Sequence, residues 1–178
     1  MAISPNSLRG QLLIAAPQLI DYFRRTVVLV VEHTEEGAMG LVLNRPTETE
    51  VSEAVPDLAG LTENPDVVHA GGPVQPDAVV ALGDFVNPEE AGTPVSGTLG
   101  LLDPDRPDPA LRRLRVYAGY TGWAPGQLDA EIEEGAWIAE PAAPDDPFSE
   151  ADLWTTVLQR KGGGYSLMAS MPIDPTLN

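Results

Sequence analysis

The sequence predicts a mixed α and β fold, and three observations carry that prediction. Short apolar runs rich in Val, Leu and Ile recur along the chain, each closed by Gly, Pro or an acidic turn. Two of them, Thr26 to Glu32 and Ala38 to Leu43, flank Thr34-Glu35-Glu36-Gly37 and have the chemistry of an antiparallel hairpin. Two later stretches, Gly126 to Gly135 and Leu153 to Leu158, place their apolar residues at helical spacing instead.

The elements follow in order. Gly10 to Ala16 is a short strand closed by Pro17, and Gln18 to Arg25 forms one amphipathic turn before the next strand. Thr26 to Glu32 is β-branched and apolar on both faces, the pattern of a mid-sheet strand. Pro46 ends the second hairpin strand, and Glu50 to Val55 gives a short helix stopped by Pro56. Val67 to Ala70, Ala78 to Leu82, Thr98 to Leu102 and Leu114 to Ala118 are further strands, while residues 87–109 read as acidic, Pro-rich surface loops. Pro125 at a first helical position opens the Gly126 to Gly135 helix, and Trp137 to Ala139 returns as a strand. Ser149 with Asp152 resembles a capping box before a helix that runs to Gly162-Gly163-Gly164, and Tyr165 to Ala169 alternates as a final strand.

The chain has 178 residues, 43% of them hydrophobic, which suits a single domain over residues 1–178 with one core. Ten basic residues against 27 acidic ones leave a net charge of -17, which repels phosphate backbones and anionic lipid. Direct nucleic-acid binding and membrane attachment are therefore disfavoured. With no cysteine, thiol nucleophiles, disulfides and cysteine-held metals are excluded. The N-terminus lacks a basic start followed by an apolar stretch, and the longest aliphatic run, Val27 to Val31, falls far short of the ~18 residues of a membrane span. A cytoplasmic protein is expected.

No complete catalytic motif is present. Glu32 and His33 are adjacent in a strand and point to opposite faces, so they do not chelate one ion; His69 has no acidic or histidine partner at helical spacing. No metal and no cofactor are expected. In Gly119-Tyr120-Thr121-Gly122-Trp123 a nucleophile elbow fails, because Trp123 stands where glycine is required. His69-Ala70-Gly71-Gly72 is explained by a turn in which glycines allow positive φ.

Binding groups are easier to nominate. Asn44-Arg45-Pro46 holds an extended guanidinium after a buried strand, suited to a carboxylate or phosphate, or simply to one of the chain's own carboxylates with Asn44 capping the turn. Tyr120 and Trp123 form either a pocket wall or part of the core. Gln127 and Glu131, one helical turn apart, contact a ligand, each other, or solvent.

Gly10 to Ala15, Glu32 to Pro46, Gly71-Gly72-Pro73-Val74, and Gly119 to Leu128 with Trp137 resemble the AlgH family, also called YqgE-type proteins. The ending Met171 to Asn178 is similar to its actinobacterial branch. The resemblance implies an α+β fold with a largely antiparallel, bent sheet curled into a partial barrel and a few flanking helices. It implies no established reaction, only the transcriptional-regulatory role for which the family is named. The motif residues that carry over as a shared surface are Glu32, His33, Gly37, Gly40, Asn44, Gly71, Gly72, Tyr120, Trp123, Gly126 and Gln127.

Together these readings favour a non-enzymatic module that binds an unknown protein or small molecule, with any effect on transcription indirect. The ligand- or partner-binding set is Glu32, His33, Asn44, Arg45, Gly71, Gly72, Tyr120, Trp123 and Gln127. The alternative is a hydrolase-like enzyme with His33 as general base and Asn44 or Arg45 stabilising negative charge, which requires His33 and Arg45 in one pocket.

Overall fold

A computed structural model describes residues 7–19, 21–62, 66–106 and 108–170, so the Met171 to Asn178 ending lies outside the described residues. The chain opens with β1 (Gln11–Ala15) and the hairpin of β2 (Val27–Thr34) and β3 (Gly37–Val42). Next come β4 (Pro46–Glu50), α1 (Val51–Ala54), β5 (Val67–Ala70) and the long β6 (Val74–Phe85). A second hairpin, β7 (Thr93–Ser96) and β8 (Leu99–Leu101), precedes β9 (Leu111–Trp123). The chain then runs through α2 (Gln127–Glu133), β10 (Trp137–Pro141), α3 (Leu153–Lys161) and α4 (Gly164–Met168).

The ten strands of the described residues join one sheet, with the main path β10-β1-β2-β3-β9-β6-β8-β7 and with β5 joining β4 to β9. Only the β5–β9 pairing is parallel among the described ladders. The predicted hairpin forms in antiparallel register, Val28 opposite Val42 and His33 opposite Ala38, with a bulge between Val30 and Glu32. Val27 to Val31 are fully buried because each face of β2 meets its own core.

Inside the bend, Leu12, Ile14, Leu29, Leu41 and Tyr117 pack with Val95 and Leu99 of the second hairpin and with Leu153, Trp154, Val157 and Leu158 of α3. On the other face, Leu13, Val28, Val30 and Val42 pack under Leu128 of α2 with Trp123 and Trp137. A third cluster, Val51, Val68, Leu114 and Val116, lies beneath α1. The β7 end curls back until a Cβ on Gly10 would meet the Ser96 side chain at 2.8 Å. No ladder among the described residues closes the circuit, so the sheet is strongly bent but open, with β10 and β7 at the ends of its main path.

Several expectations are corrected. Tyr165 to Ala169 is helical as α4, since Gly162 and Gly163 at positive φ turn the chain into a new helical turn instead of releasing it to the sheet. Asp152, and not Ser149, caps α3, its carboxylate accepting from Thr155 N–H at 3.3 Å. Gly126 is the residue before α2, in the left-handed region with φ 77°, so Pro125 precedes the helix. Pro46 starts an extra strand, and the acidic 87–109 stretch contains β7 as well as β8. The strand expected over Leu114 to Ala118 is longer at both ends, Leu111–Trp123, so Gly119 to Trp123 forms the second half of β9.

That second half exists because glycines let backbones cross. Gly72, at φ 155°, and Gly119, at φ 77°, face each other so closely that a Cβ on Gly72 collides with the Tyr120 carbonyl and one on Gly119 with the Gly72 carbonyl oxygen. Gly72→Ala is expected to lower unfolding free energy by roughly 3 kcal/mol. Gly126→Ala, with the same kind of φ but open space around it, costs about 1 kcal/mol. Urea midpoints of the two variants check this difference.

Candidate functional site

The two glycine-containing segments singled out by sequence meet as neighbouring strands: Ala38 pairs with Trp123, Met39 with Gly122, and Gly40 with Thr121. His33, Ala38 and Trp123 therefore form a row across three strands on the face that α2 covers. Glu131 of α2 gathers this face together. Its Oε1 accepts from the Trp123 indole at 3.0 Å and from the Trp137 indole at 2.9 Å. Its Oε2 accepts from Gln127 Nε2 at 2.8 Å, while Gln127 Oε1 accepts from Ala124 N–H at 2.9 Å. The two indoles stand edge to face, 6.2 Å between centroids.

His33 is buried on the α2 face because the bulge between Val30 and Glu32 resets the alternation of β2, and Glu32 is exposed on the opposite face. The imidazole Nδ1 accepts from Leu8 N–H at 2.8 Å, and Ser7 Oγ donates to the His33 carbonyl at 3.2 Å. Nε2 lies 3.7 Å from Oδ1 of Asp129, a carboxylate that is 60% exposed. His33 thus pins the incoming N-terminal segment to the hairpin.

The remaining candidates fall elsewhere. Tyr120 is half-buried against the inner core, on the face opposite Trp123 and shared with Glu32 and Met39. Gly71 bridges strands, its N–H donating to Ala118 and its carbonyl accepting from Val42, both at 2.9 Å, while Gly72 makes the backbone crossing. Asn44 accepts from Val27 N–H at 3.0 Å and donates to the Arg25 carbonyl at 2.9 Å. Arg45 donates to the carbonyls of Tyr22 and Arg24 at 2.8 and 3.0 Å and lies 5.4 Å from the Tyr22 ring. Both side chains therefore fasten the turn between β1 and β2. Ala38, opposite His33, and Arg45 are separated by roughly 23 Å of extended chain, so a general base at His33 and a guanidinium at Arg45 do not reach one substrate.

Two features were missed from sequence. On β9, Arg113, Arg115 and Tyr117 share one face by simple alternation, a period-two signal present in the sequence. Arg115 is buried, donating to Glu150 Oε1 at 2.8 Å and to the Pro147 carbonyl at 3.2 Å, beside a cavity of about 90 Å³ lined with Asp66, Arg113, Leu114 and Phe148. His69 sits near it, its ring 5.8 Å from Tyr117. Burial and then the Arg115 charge hold the His69 pKa below its ordinary value, and burial raises that of the Tyr117 hydroxyl.

The second feature is a groove of about 380 Å³ along β10. Ile132 and Gly135 from the end of α2 line it on one face of the sheet, and Tyr165 and Met168 of α4 on the other, with Ile138 and Ala139 between them. Lys161 reaches over, its Nζ donating to the Ala139 carbonyl and to Glu140 Oε2, each at 3.1 Å.

Two measurements follow from these contacts. Glu131→Leu leaves two indole donors without an acceptor and is expected to cost about 2 kcal/mol, with a shift in tryptophan emission as the ring environment changes. The unfolded His69 takes up a proton near pH 6.5 and the folded one only below that value. Stability contributed by neutral His69 is therefore complete above pH 6.5 and falls as pH drops through the window below it. Urea midpoints at pH 8.0, 6.5 and 5.5 should decline for the wild type and flatten for His69→Gln.

Comparison with known proteins agrees with this architecture. A family described as AlgH-like matches residues 12–166. A UPF0301 protein of Streptomyces coelicolor is 44% identical over 97% of this chain and 96% of its own length. One of Nocardia farcinica is 40% identical over 95% and 85%. The crystal structure of a protein from Corynebacterium diphtheriae superimposes with a TM-score of 0.85 at 29% identity, covering 96% of this chain and 95% of that one. The solution structure of the AlgH protein from Pseudomonas aeruginosa gives 0.70 at 29% identity, covering 97% and 98%. Matched in sequence from β1 into α4, and in fold across nearly its whole length, the chain belongs to the AlgH-like family.

Proposed function

We propose that this chain is a non-enzymatic, cytoplasmic binding module that engages a protein partner in the groove along β10. Any effect on transcription is exerted through that partner and not by contact with DNA. The observation that carries the reading is a division of labour between side chains. The groups best suited to chemistry or ligand capture, His33, Asn44, Arg45 and Gln127, each hold part of the scaffold through hydrogen bonds of 2.8 to 3.0 Å. The groove, by contrast, presents half-buried apolar side chains beside unpaired sheet edge. Its volume falls at the low end of pockets that take a ligand or an anchoring segment. A net charge of -17 supports the indirect route, because phosphate neutralisation by Lys and Arg supplies most nucleic-acid affinity. No helix among the described residues is long and apolar enough to cross a membrane.

The test is capture from native lysate on immobilised wild type and on Met168→Glu, which places a charge in the groove wall, with mass spectrometry of bound proteins and small molecules. A protein species retained by the wild type and lost by the variant is the expected outcome. Identical capture by both removes the groove from consideration. Gel shifts with duplex DNA at physiological salt are expected to show no complex, and a complex with a steep salt slope would overturn the indirect route.

A further inference from the structure

We infer that the occupant of the groove is an extended, basic segment of a protein partner that adds to the sheet as a further strand on β10; this rests on the groove being the binding surface. Hydrogen-bond phase turns alternate residues of β10 away from β1. Ala16 N–H donates to the Ala136 carbonyl, and Ala142 N–H donates to the Gly10 carbonyl. In the antiparallel register with β1, Ile138 and Glu140 therefore exchange hydrogen bonds with Ile14 and Leu12. Trp137, Ala139 and Pro141 must then aim their backbone groups outward. The Ala139 carbonyl does point that way, since Lys161 Nζ meets it, and Arg160 Nη2 meets the Pro141 carbonyl at 3.5 Å. The Trp137 and Ala139 amides donate to no protein acceptor among the described residues. Two donors at the pitch of alternate strand residues form a template for another backbone.

Apolar side chains of two helices flank that edge. An added strand directs alternate side chains to opposite faces. On one side they would meet Ile132 of α2, and on the other Tyr165 and Met168 of α4. The helices thus form two walls for a ribbon one strand wide.

Charge selects the occupant. The two cations at this edge, Lys161 and Arg160, are each paired with a carboxylate, Glu140 and Asp146, while Glu133 and Glu134 are exposed beside Gly135 at the α2 end and the whole chain carries -17. A second copy would bring the same charge to the same edge, whereas a basic segment is attracted. Lys161 acts as a guard, covering the Ala139 carbonyl until an incoming amide replaces it.

The experiment uses a fluorescein-labelled decapeptide of alternating Lys and Val, read by fluorescence anisotropy at physiological salt. Comparators are its Glu-Val counterpart and two versions N-methylated on one or the other set of alternate residues. The Lys-Val peptide should bind, the Glu-Val peptide should not, and N-methylation of the edge-facing set alone should weaken binding about tenfold. Amide exchange at Trp137 and Ala139 should slow in the complex. Ala139→Pro, which removes an outward amide outside the β1 ladder, should abolish binding with little change in stability. Lys161→Met should tighten binding severalfold by uncovering the Ala139 carbonyl.

Equal binding by both N-methylated peptides would show attraction by charge alone and overturn strand addition, as would failure of the parent peptide to bind. Because these readouts alter the peptide and not the fold, they stand even if Ala139→Pro is unstable. Self-association lost in Ala139→Pro would assign the edge to a second copy and overturn the basic partner. The capture comparison with Met168→Glu is separate: a small molecule lost there while the peptides fail leaves the groove as a binding surface but ends strand addition.

Discussion

The architecture depends on one close passage of backbone, where Gly71 and Gly72 cross Gly119 to Thr121 with no room for a Cβ between them. On the earlier half of β9, Tyr117 and Ala118 pair with β5; beyond the crossing, Thr121 to Trp123 pair with β3. One strand thereby stitches the hairpin of the first third of the chain to the sheet of the middle third. Without a Cβ at Gly71, Gly72 and Gly119 the two backbones approach to hydrogen-bonding distance, Gly71 N–H reaching the Ala118 carbonyl at 2.9 Å. With them, β9 would have to end at Ala118, and Trp123 would lose its place beneath α2.

From that placement the polar groups acquire their duties. A buried indole N–H is costly unless it finds an acceptor, and Glu131 serves two of them while also receiving Gln127. This explains why a helix of only seven residues with four acids near it stays on the sheet. Asp84 illustrates the same economy at the other end of β6. Burial pushes its carboxyl up, but Thr98 and the Arg113 and Arg112 guanidiniums outweigh that effect and hold it below its usual value. Arg113 itself lies 4.4 Å from the Phe148 ring, joining the sheet to the turn before α3.

Much of the fold was legible because its signals are local. The β2–β3 hairpin followed from two apolar runs around an acidic turn, and α3 from the spacing of Leu153, Trp154, Val157 and Leu158, all four buried. The Tyr165 to Ala169 segment misled because a five-residue alternation after glycine is compatible with strand and helix alike; neighbours decide, and here α3 decides. β4 and β7 were hidden by Pro46 and Pro94, which read as breakers yet are tolerated at strand beginnings and edges. The pairing of the hairpin segment with Gly119 to Trp123 brought the sequence motifs together, but on two faces of one sheet. No local pattern says that His33 and Trp123 share a face while Glu32 and Tyr120 share the other, since the bulge between Val30 and Glu32 resets the alternation. The edge at β10 was illegible for the same reason: whether Trp137 to Pro141 is central or terminal is a property of the sheet.

An open sheet margin is also a colloidal hazard, because identical margins can zip together into filaments. Above the isoelectric point, near pH 4.2, like molecules of this acidic chain repel one another before their margins meet. Charge repulsion and an unpaired β10 thus go together among the described residues, and acidification toward that point removes the repulsion while the margin keeps its unpaired groups.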